Sequence, residues 1–249
     1  MRNMYKLMLA IIVIIAASCS KNNTDTITGT GIGVSFKAVT TLGSSSSSAV
    51  SKSISVVGFT FSEALIGIKE IELKREEEHF SDSAMVHDSL NKHKFDFDGK
   101  YLIDLLTGTS TPDIGFTNFV PGTYNKFESE TARLISGGKS ISVKGTYTDP
   151  SSNVYKFDFS TKKEFEFEFE SDSGFVLTEG KILEMLININ LPQMFATVDF
   201  SKGTPDATNV IVIDETTNID LFKIIRHNIH SIGEMHEDHQ KEMEHHHDH

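Results

Sequence analysis

Apolar and polar side chains alternate along much of this chain with a period of two, and turn-forming clusters interrupt the alternation at short intervals. Ile32, Val34, Phe36 and Ala38 alternate with Gly33, Ser35 and Lys37, which predicts a half-buried strand. The clearest case is Lys163 to Glu170, with Phe165, Phe167 and Phe169 on one face and Glu164, Glu166, Glu168 and Glu170 on the other. Lys181 to Leu191 keeps Leu183, Met185, Ile187, Ile189 and Leu191 in phase and stops at Pro192. Ile54 to Leu73 is rich in β-branched and aromatic residues and predicts two strands, with Gly58 and Gly67 as bulges or close approaches. Within it, Ala64 to Leu73 also fits one amphipathic helix of three turns.

Further on, Phe95–Asp98 and Tyr101–Leu106 predict a short hairpin closed at Asp98-Gly99, a pair that tolerates positive φ angles. Ile114 to Phe119 reads as extended, and the turn Val120-Pro121-Gly122-Thr123 opens a long strand, Tyr124 to Ile135. Gly137-Gly138 then leads into Ser140–Thr148, and Asp149 to Asn153 turns the chain back into Val154–Ser160. Only one helix persuades. Thr217 can cap it, Asp220 sits in its first turn, and Phe222, Ile225, Ile229 and Ile232 form one stripe up to Gly233. About ten strands with turns every 8 to 12 residues predict an all-β sandwich or barrel, against which this C-terminal helix docks its apolar stripe.

The amino terminus follows a different rule. Arg2 and Lys6 precede Leu7 to Ile15, an unbroken apolar run too short for a bilayer core of ~30 Å, as in the h-region of a signal peptide. Ala16, Ala17 and Ser18 lead into Cys19, the only cysteine. This resembles a bacterial lipobox, which implies removal of residues 1–18 and acylation, of the palmitate kind, on Cys19. An ordinary secretory leader with an incidental cysteine is the alternative. The lone thiol favours the lipobox, and it leaves no disulfide to staple the fold. Residues 19–29 are polar and Asn/Thr-rich, the composition of a tether. Ser20 directly after the cysteine resembles lipoproteins exported to an outer membrane, which places the chain in the cell envelope. Thr40 to Lys52, with five consecutive serines, reads as a loop.

Charge narrows the partners. Loss of Arg2 and Lys6 with the leader takes the formal charge from −12 to −14. So acidic a protein is repelled by nucleic acid and by anionic head groups, which leaves the lipid on Cys19 as the membrane contact. The chain has no tryptophan, against 18 phenylalanines, and this argues against a glycan platform built on exposed indoles.

The order of Ala64–Leu73 (ALIGIKEIEL), Tyr101–Leu106 (YLIDLL) and Val120–Tyr124 (VPGTY) resembles the "domain of unknown function" modules of bacterial surface lipoproteins. The resemblance covers roughly residues 31–200. It implies an antiparallel Greek-key β-sandwich, immunoglobulin- or prealbumin-like. The pattern of the residues themselves sets the domain bounds: the sandwich over residues 30–213, the helix at 214–233 and a tail at 234–249. The resemblance brings no catalytic residues, and the long acidic insert Glu76 to Lys94 departs from it.

Catalytic motifs are thin. The sequence holds no Gly-x-Ser-x-Gly elbow, phosphate-cradling Gly-rich loop or His-Glu-x-x-His, so a non-enzymatic protein is expected. Carboxylates do pair: Asp96 with Asp98, and Glu164, Glu166, Glu168 and Glu170 in a row at ~7 Å spacing. Such a row offers hard oxygen ligands to Ca²⁺, or forms a solvated face that keeps a Phe-rich strand from aggregating. A glycosidase would need two such carboxylates across a cleft.

The carboxy terminus is more distinctive. Eight of eleven histidines lie in the last 23 residues: His227 and His230 on the helix, spaced with Glu234 at i, i+3 and i+7, then His236, His239, His245, His246, His247 and His249. Met235, Met243 and six acidic residues accompany them in a tail read as disordered. Neutral imidazoles bind Zn²⁺, Cu²⁺ and Ni²⁺, thioethers add affinity for Cu⁺, and carboxylates concentrate cations nearby. Against metal binding stand a solvated tail, an added tag, and a helix that merely carries histidines. His79, His87 and His93 in the acidic insert are spaced as exposed loop histidines. Two function classes result: an envelope lipoprotein whose sandwich binds a protein or glycan partner or assembles there, and a lipoprotein that scavenges or handles transition metals.

Overall fold

The computed structural model describes residues 30–39, 54–56, 58–75 and 94–236. Cys19, the tether, the serine-rich loop and the acidic insert with His79, His87 and His93 lie outside these described residues, as do His239, His245, His246, His247 and His249.

Strand β1 (Gly31–Val39) opens the fold, followed by β2 (Ile54–Val56), β3 (Phe59–Lys74), β4 (Lys94–Asp104), β5 (Thr109–Thr111) and β6 (Phe116–Asn118). Then come β7 (Gly122–Thr131), β8 (Ile141–Thr148), β9 (Val154–Thr161), β10 (Glu166–Leu177) and β11 (Ile182–Asn190). A one-turn helix α1 (Leu191–Met194), β12 (Val210–Ile213), the long helix α2 (Ile219–Gly233) and β13 (Glu234–His236) complete it. The protein is thus all-β apart from α2: one three-stranded sheet, β11-β1-β6, and one large sheet running β12-β9-β8-β3-β7-β10-β13, with β2 and β4 on the other edge of β3 and β5 beyond β4. Pairing is mixed and not antiparallel throughout. β1 with β11, β9 with β12 and β10 with β13 run parallel, because in each pair a later segment returns in the direction of the earlier strand.

The large sheet turns on β3. Along one edge its first half pairs with β8 and its second half with β7, while β4 follows the opposite edge. Gly67 stands at the change of partner, donating its N–H to Ser140 O (2.9 Å) and accepting from Ala132 N (2.8 Å). Two bulges, between Phe61 and Glu63 and between Lys69 and Glu72, each add a residue and reverse which face looks inward. The buried positions are accordingly Phe59 and Phe61, then Ala64, Ile66 and Ile68, then Ile71 and Leu73. This corrects the helical option over Ala64–Leu73: bulges stretch spacings of two into three, so positions 61, 64, 68 and 71 imitate a helical stripe.

The bulge at Glu70 (φ +54) also corrects the expected hairpin at Asp98-Gly99. β4 runs unbroken through these two residues, which oppose Glu70 while Lys100 pairs with Lys69 and Phe97 with Ile71. Asp-Gly here supplies an irregularity inside a strand and not a chain reversal. The strand leaving Pro121-Gly122 ends at Thr131, short of Ile135, since Ile135 and Lys139 bridge a separate Gly137-Gly138 turn.

Phe36 of β1 meets Phe127 of β7 at 6.2 Å between ring centroids, joining the two sheets. Over the β8–β9 half, Phe195 and Phe200 cover Phe157, at 4.9 and 5.2 Å, and α2 covers the rest. Leu221, Phe222, Ile225, Ile229 and Ile232 of α2 are buried, with Phe222 stacked 6.2 Å from Phe159. Asn228 Nδ2 donates to Met194 O and Ala196 O (3.1 and 2.7 Å), which fixes α2 against α1 and the turn after it. The expected Thr217 cap is replaced. The helix begins at Ile219, and Asn218 before it turns its amide to Thr204 and Val212, while Asp214 Oδ1 accepts from Thr216 N and Thr217 N. Among the described residues no helix is long and apolar enough to cross a membrane.

Candidate functional site

The outer face of β3, β7 and β10 carries the densest charge of the described fold. Alternation places Phe127 and Ser129 of β7 inward and Lys126, Glu128 and Glu130 outward, and β10 does the same with Phe167 against Glu166 and Glu168. Register then aligns one acidic residue from each of five neighbouring strands: Asp96, Glu72, Glu128, Glu168 and Glu234. On one side of this row lies a second, Lys94, Lys74, Lys126, Glu170 and His236, and on the other Lys100, Lys69, Glu130 and Glu166.

Like charges directly opposite one another on a sheet are destabilising, so the flanking lysines decide whether the row is tolerable. Lys126 Nζ lies 2.8 Å from Glu168, 3.0 Å from Glu128 and 3.4 Å from Glu170. Lys74 bridges Glu128 and Glu72, and Lys69 bridges Glu130 (3.2 Å) and Glu164 (3.5 Å). Burial alone would lower the Lys126 ammonium, but hydrogen bonds with Glu168 and Glu128 outweigh it and hold the group above the ordinary lysine range. Burial likewise works to raise the Glu128 carboxyl, and the hydrogen bonds from Lys74 and Lys126 reverse that and hold it below the usual range.

A cleft of about 460 Å³ opens here, lined by seven glutamates (70, 72, 128, 130, 164, 166 and 168) with Ser129, Phe165 and His230. Carboxylate oxygens of Glu128, Glu166 and Glu168 lie within 4.8 Å of one another. Three such oxygens suit a hard divalent cation. The ammonium of Lys126, however, already stands against two of the three carboxylates, where a cation would sit. Lys126 thus occupies part of the row, while the face as a whole keeps more carboxylates than ammonium groups and stays acidic.

The predicted metal residues fall in different places. His227 and His230 are both exposed on α2; the His230 ring packs edge-on against Phe165 at 5.2 Å and reaches the cleft, whereas His227 is not among the cleft residues. Glu234 does not continue the helical spacing from them, because α2 ends at Gly233 and Glu234 starts β13 beside Glu168. His236 stands in register with Glu170. The sequence singles out Asp96 and the glutamates of residues 164–170 but not Glu72, Glu128 or Glu130, although the Lys-Phe-Glu-Ser-Glu alternation of residues 126–130 carries the signal for β7. The cross-strand row itself is a product of register.

No protein-family model matches this chain, and no curated protein or solved structure matches it either.

Proposed function

We propose that this protein is a non-enzymatic lipoprotein of the cell envelope, held in a membrane, the outer membrane by its Ser20, through acyl groups on Cys19, and presenting its β-sandwich as a binding or structural module. The observation that carries this reading is the placement of the single cysteine. It follows a charged and apolar leader, and only Ser20 to Gly29, a polar stretch, separates it from Thr30 at the start of the fold. One acyl chain binds a bilayer marginally, so stable anchoring takes the several chains that lipoprotein processing adds. The lysine ammonium groups on Glu128, Glu130, Glu164 and Glu168 support a non-enzymatic role, since a general acid or base works through a carboxyl left available for proton transfer. Mass spectrometry of the amino-terminal peptide from the native membrane protein is the test. The expected peptide begins at an acylated Cys19; an unmodified Cys19, or a chain cut elsewhere, ends the proposal.

A second reading, transition-metal handling by the histidine-rich terminus, is favoured by one observation. β13 brings the root of that terminus, Glu234 to His236, alongside Glu168 to Glu170 at the edge of the acidic face, which raises the local cation concentration there. Calorimetry with Zn²⁺, Cu²⁺ and Ni²⁺ on the mature protein and on a version ending at Gly233 checks it. Truncation is expected to abolish most of the binding stoichiometry, and unchanged stoichiometry and affinity would remove the reading.

A further inference from the structure

Seven large hydrophobic side chains of the described residues are exposed, and four of them, Phe116, Val120, Val176 and Ile182, gather at one end of the sandwich. Register and hydrogen bonds locate that end. Thr30 accepts from Phe119 N through its carbonyl (3.1 Å) and from Gly180 N through its hydroxyl (2.8 Å), while Gly31 N donates to Lys181 O. Val120 follows Phe119, Ile182 follows Lys181 and pairs with Gly31, and Phe116 lies over Gly33, where an added Cβ would come within 2.5 Å of its ring. Val176 pairs with Thr123 at the start of β7, where Arg75 Nη2 donates to Val120 O and Pro121 O (both 2.8 Å). The rim thus surrounds the point at which the amino-terminal segment joins the fold.

We propose that this rim is a membrane-docking surface that rests on a lipid bilayer with zwitterionic head groups. The inference relies on the anchor at Cys19. From that residue to Thr30 the chain spans at most ~40 Å. An anchor of that length keeps this end, and not the opposite one, next to the lipid, and converts a weak surface contact into an intramolecular one. Valine, isoleucine and phenylalanine side chains gain from leaving water at the bilayer boundary. The net charge, −12 for the full sequence and −14 once Arg2 and Lys6 are removed, works against anionic lipid, which selects a zwitterionic surface. Val154, 60 % exposed, supplies an internal control: it pairs with Thr148 beyond the start of β3, whereas the rim lies at the end of β3.

The absence of tryptophan makes the test direct. Phe116→Trp and Val176→Trp each place one fluorophore on the rim, and Val154→Trp places one at the far end. Each protein is reconstituted in phosphatidylcholine vesicles with and without brominated acyl chains, once as the native membrane-extracted form and once with Cys19 coupled to a maleimide-bearing lipid. The expected result is a blue shift and bromine quenching for both rim variants, and unchanged emission for Val154→Trp. Three results would overturn the proposal: rim emission that is unquenched in the coupled protein, equal quenching at residue 154, or a blue shift that develops with protein concentration without lipid, which would signal a second copy. Quenching in the coupled form together with an unacylated native Cys19 would sustain the docking surface and refute the natural anchor, so the two failures are distinguishable.

Discussion

Gly67 and Ala132 approach so closely that a Cβ on Gly67 would lie 2.1 Å from the Ala132 carbonyl oxygen. The contact sits where β3 changes partner from β8 to β7, and Ala132 N donates to Gly67 O in the same place. Because the obstacle is backbone, it cannot rotate away. Gly67→Ala should cost about 3 kcal/mol, read as a lower urea midpoint at unchanged slope. A variant of wild-type stability would show that the β7–β8 fork is not held by this approach.

The docking of α2 depends on its apolar stripe. Ile225 is fully buried between neighbours Leu221, Phe222 and Ile229 on the same helix and the sheet beneath. Ile225→Ala should destabilise by about 2–5 kcal/mol. Because β13 follows α2 directly, amide exchange along Glu168–Glu170 should speed up in the same variant. Loss of stability without faster exchange there would separate the helix from the sheet edge.

The ion-paired face predicts a pH dependence. The Glu128 carboxyl is depressed in the folded state, so its contribution is present above the unfolded value of about 4.3 and is lost as pH falls through the folded one. The raised Lys126 ammonium contributes fully below about 10.4 and loses that contribution only as pH rises through its higher folded value. Glu128→Gln should therefore be less stable than wild type at pH 7, by about 1 kcal/mol. Repulsion from Glu72 and Glu168 keeps the figure small. Urea midpoints of the two proteins should converge as pH falls through the depressed folded value of Glu128, and a gap that does not narrow with falling pH would assign the effect to packing.

Ser129 is buried at 1 % exposure, and its hydroxyl has no hydrogen-bond partner among the described residues. Its register neighbour on β10 is Phe167, whose side chain offers no acceptor. Removing an unsatisfied buried hydroxyl relieves a desolvation cost, so Ser129→Ala should be neutral to stabilising by about 1 kcal/mol. A clear loss in thermal or urea stability would mean that the hydroxyl is satisfied in solution.

How much was legible in the sequence differs from strand to strand. The in-phase run 181–191 gives β11 almost whole and the Phe/Glu alternation of residues 163–170 gives the first part of β10, Glu166 to Glu170, because a strand with one buried face has no freedom in its pattern. The two strands expected over Ile54–Leu73 are β2 and β3, and a helix stays open over Ala64–Leu73 only because two bulges shift the phase of β3 and imitate a helical stripe. Asp98-Gly99 carries the chemistry of a tight turn but sits opposite Glu70 within a continuous strand. There the long pairing with β3 overrides the local preference, and the conformational freedom of the glycine serves the bulge.

The sequence by itself determined the all-β class, the inward faces of most strands and the apolar stripe of α2, because these follow from periodicity along a single segment. It also sets the apolar run that ends at Cys19 and the histidine-rich end apart from the alternating pattern of the core. Only the tertiary structure decided which strands are neighbours, and with them the parallel pairings of β1 with β11 and β10 with β13. That register turned scattered glutamates into one row across five strands, and it gathered Phe116, Val120, Val176 and Ile182 around the point where the chain joins the fold. Contacts between residues many tens of positions apart leave no period in the sequence, since each strand's alternation satisfies its own burial without naming its partner.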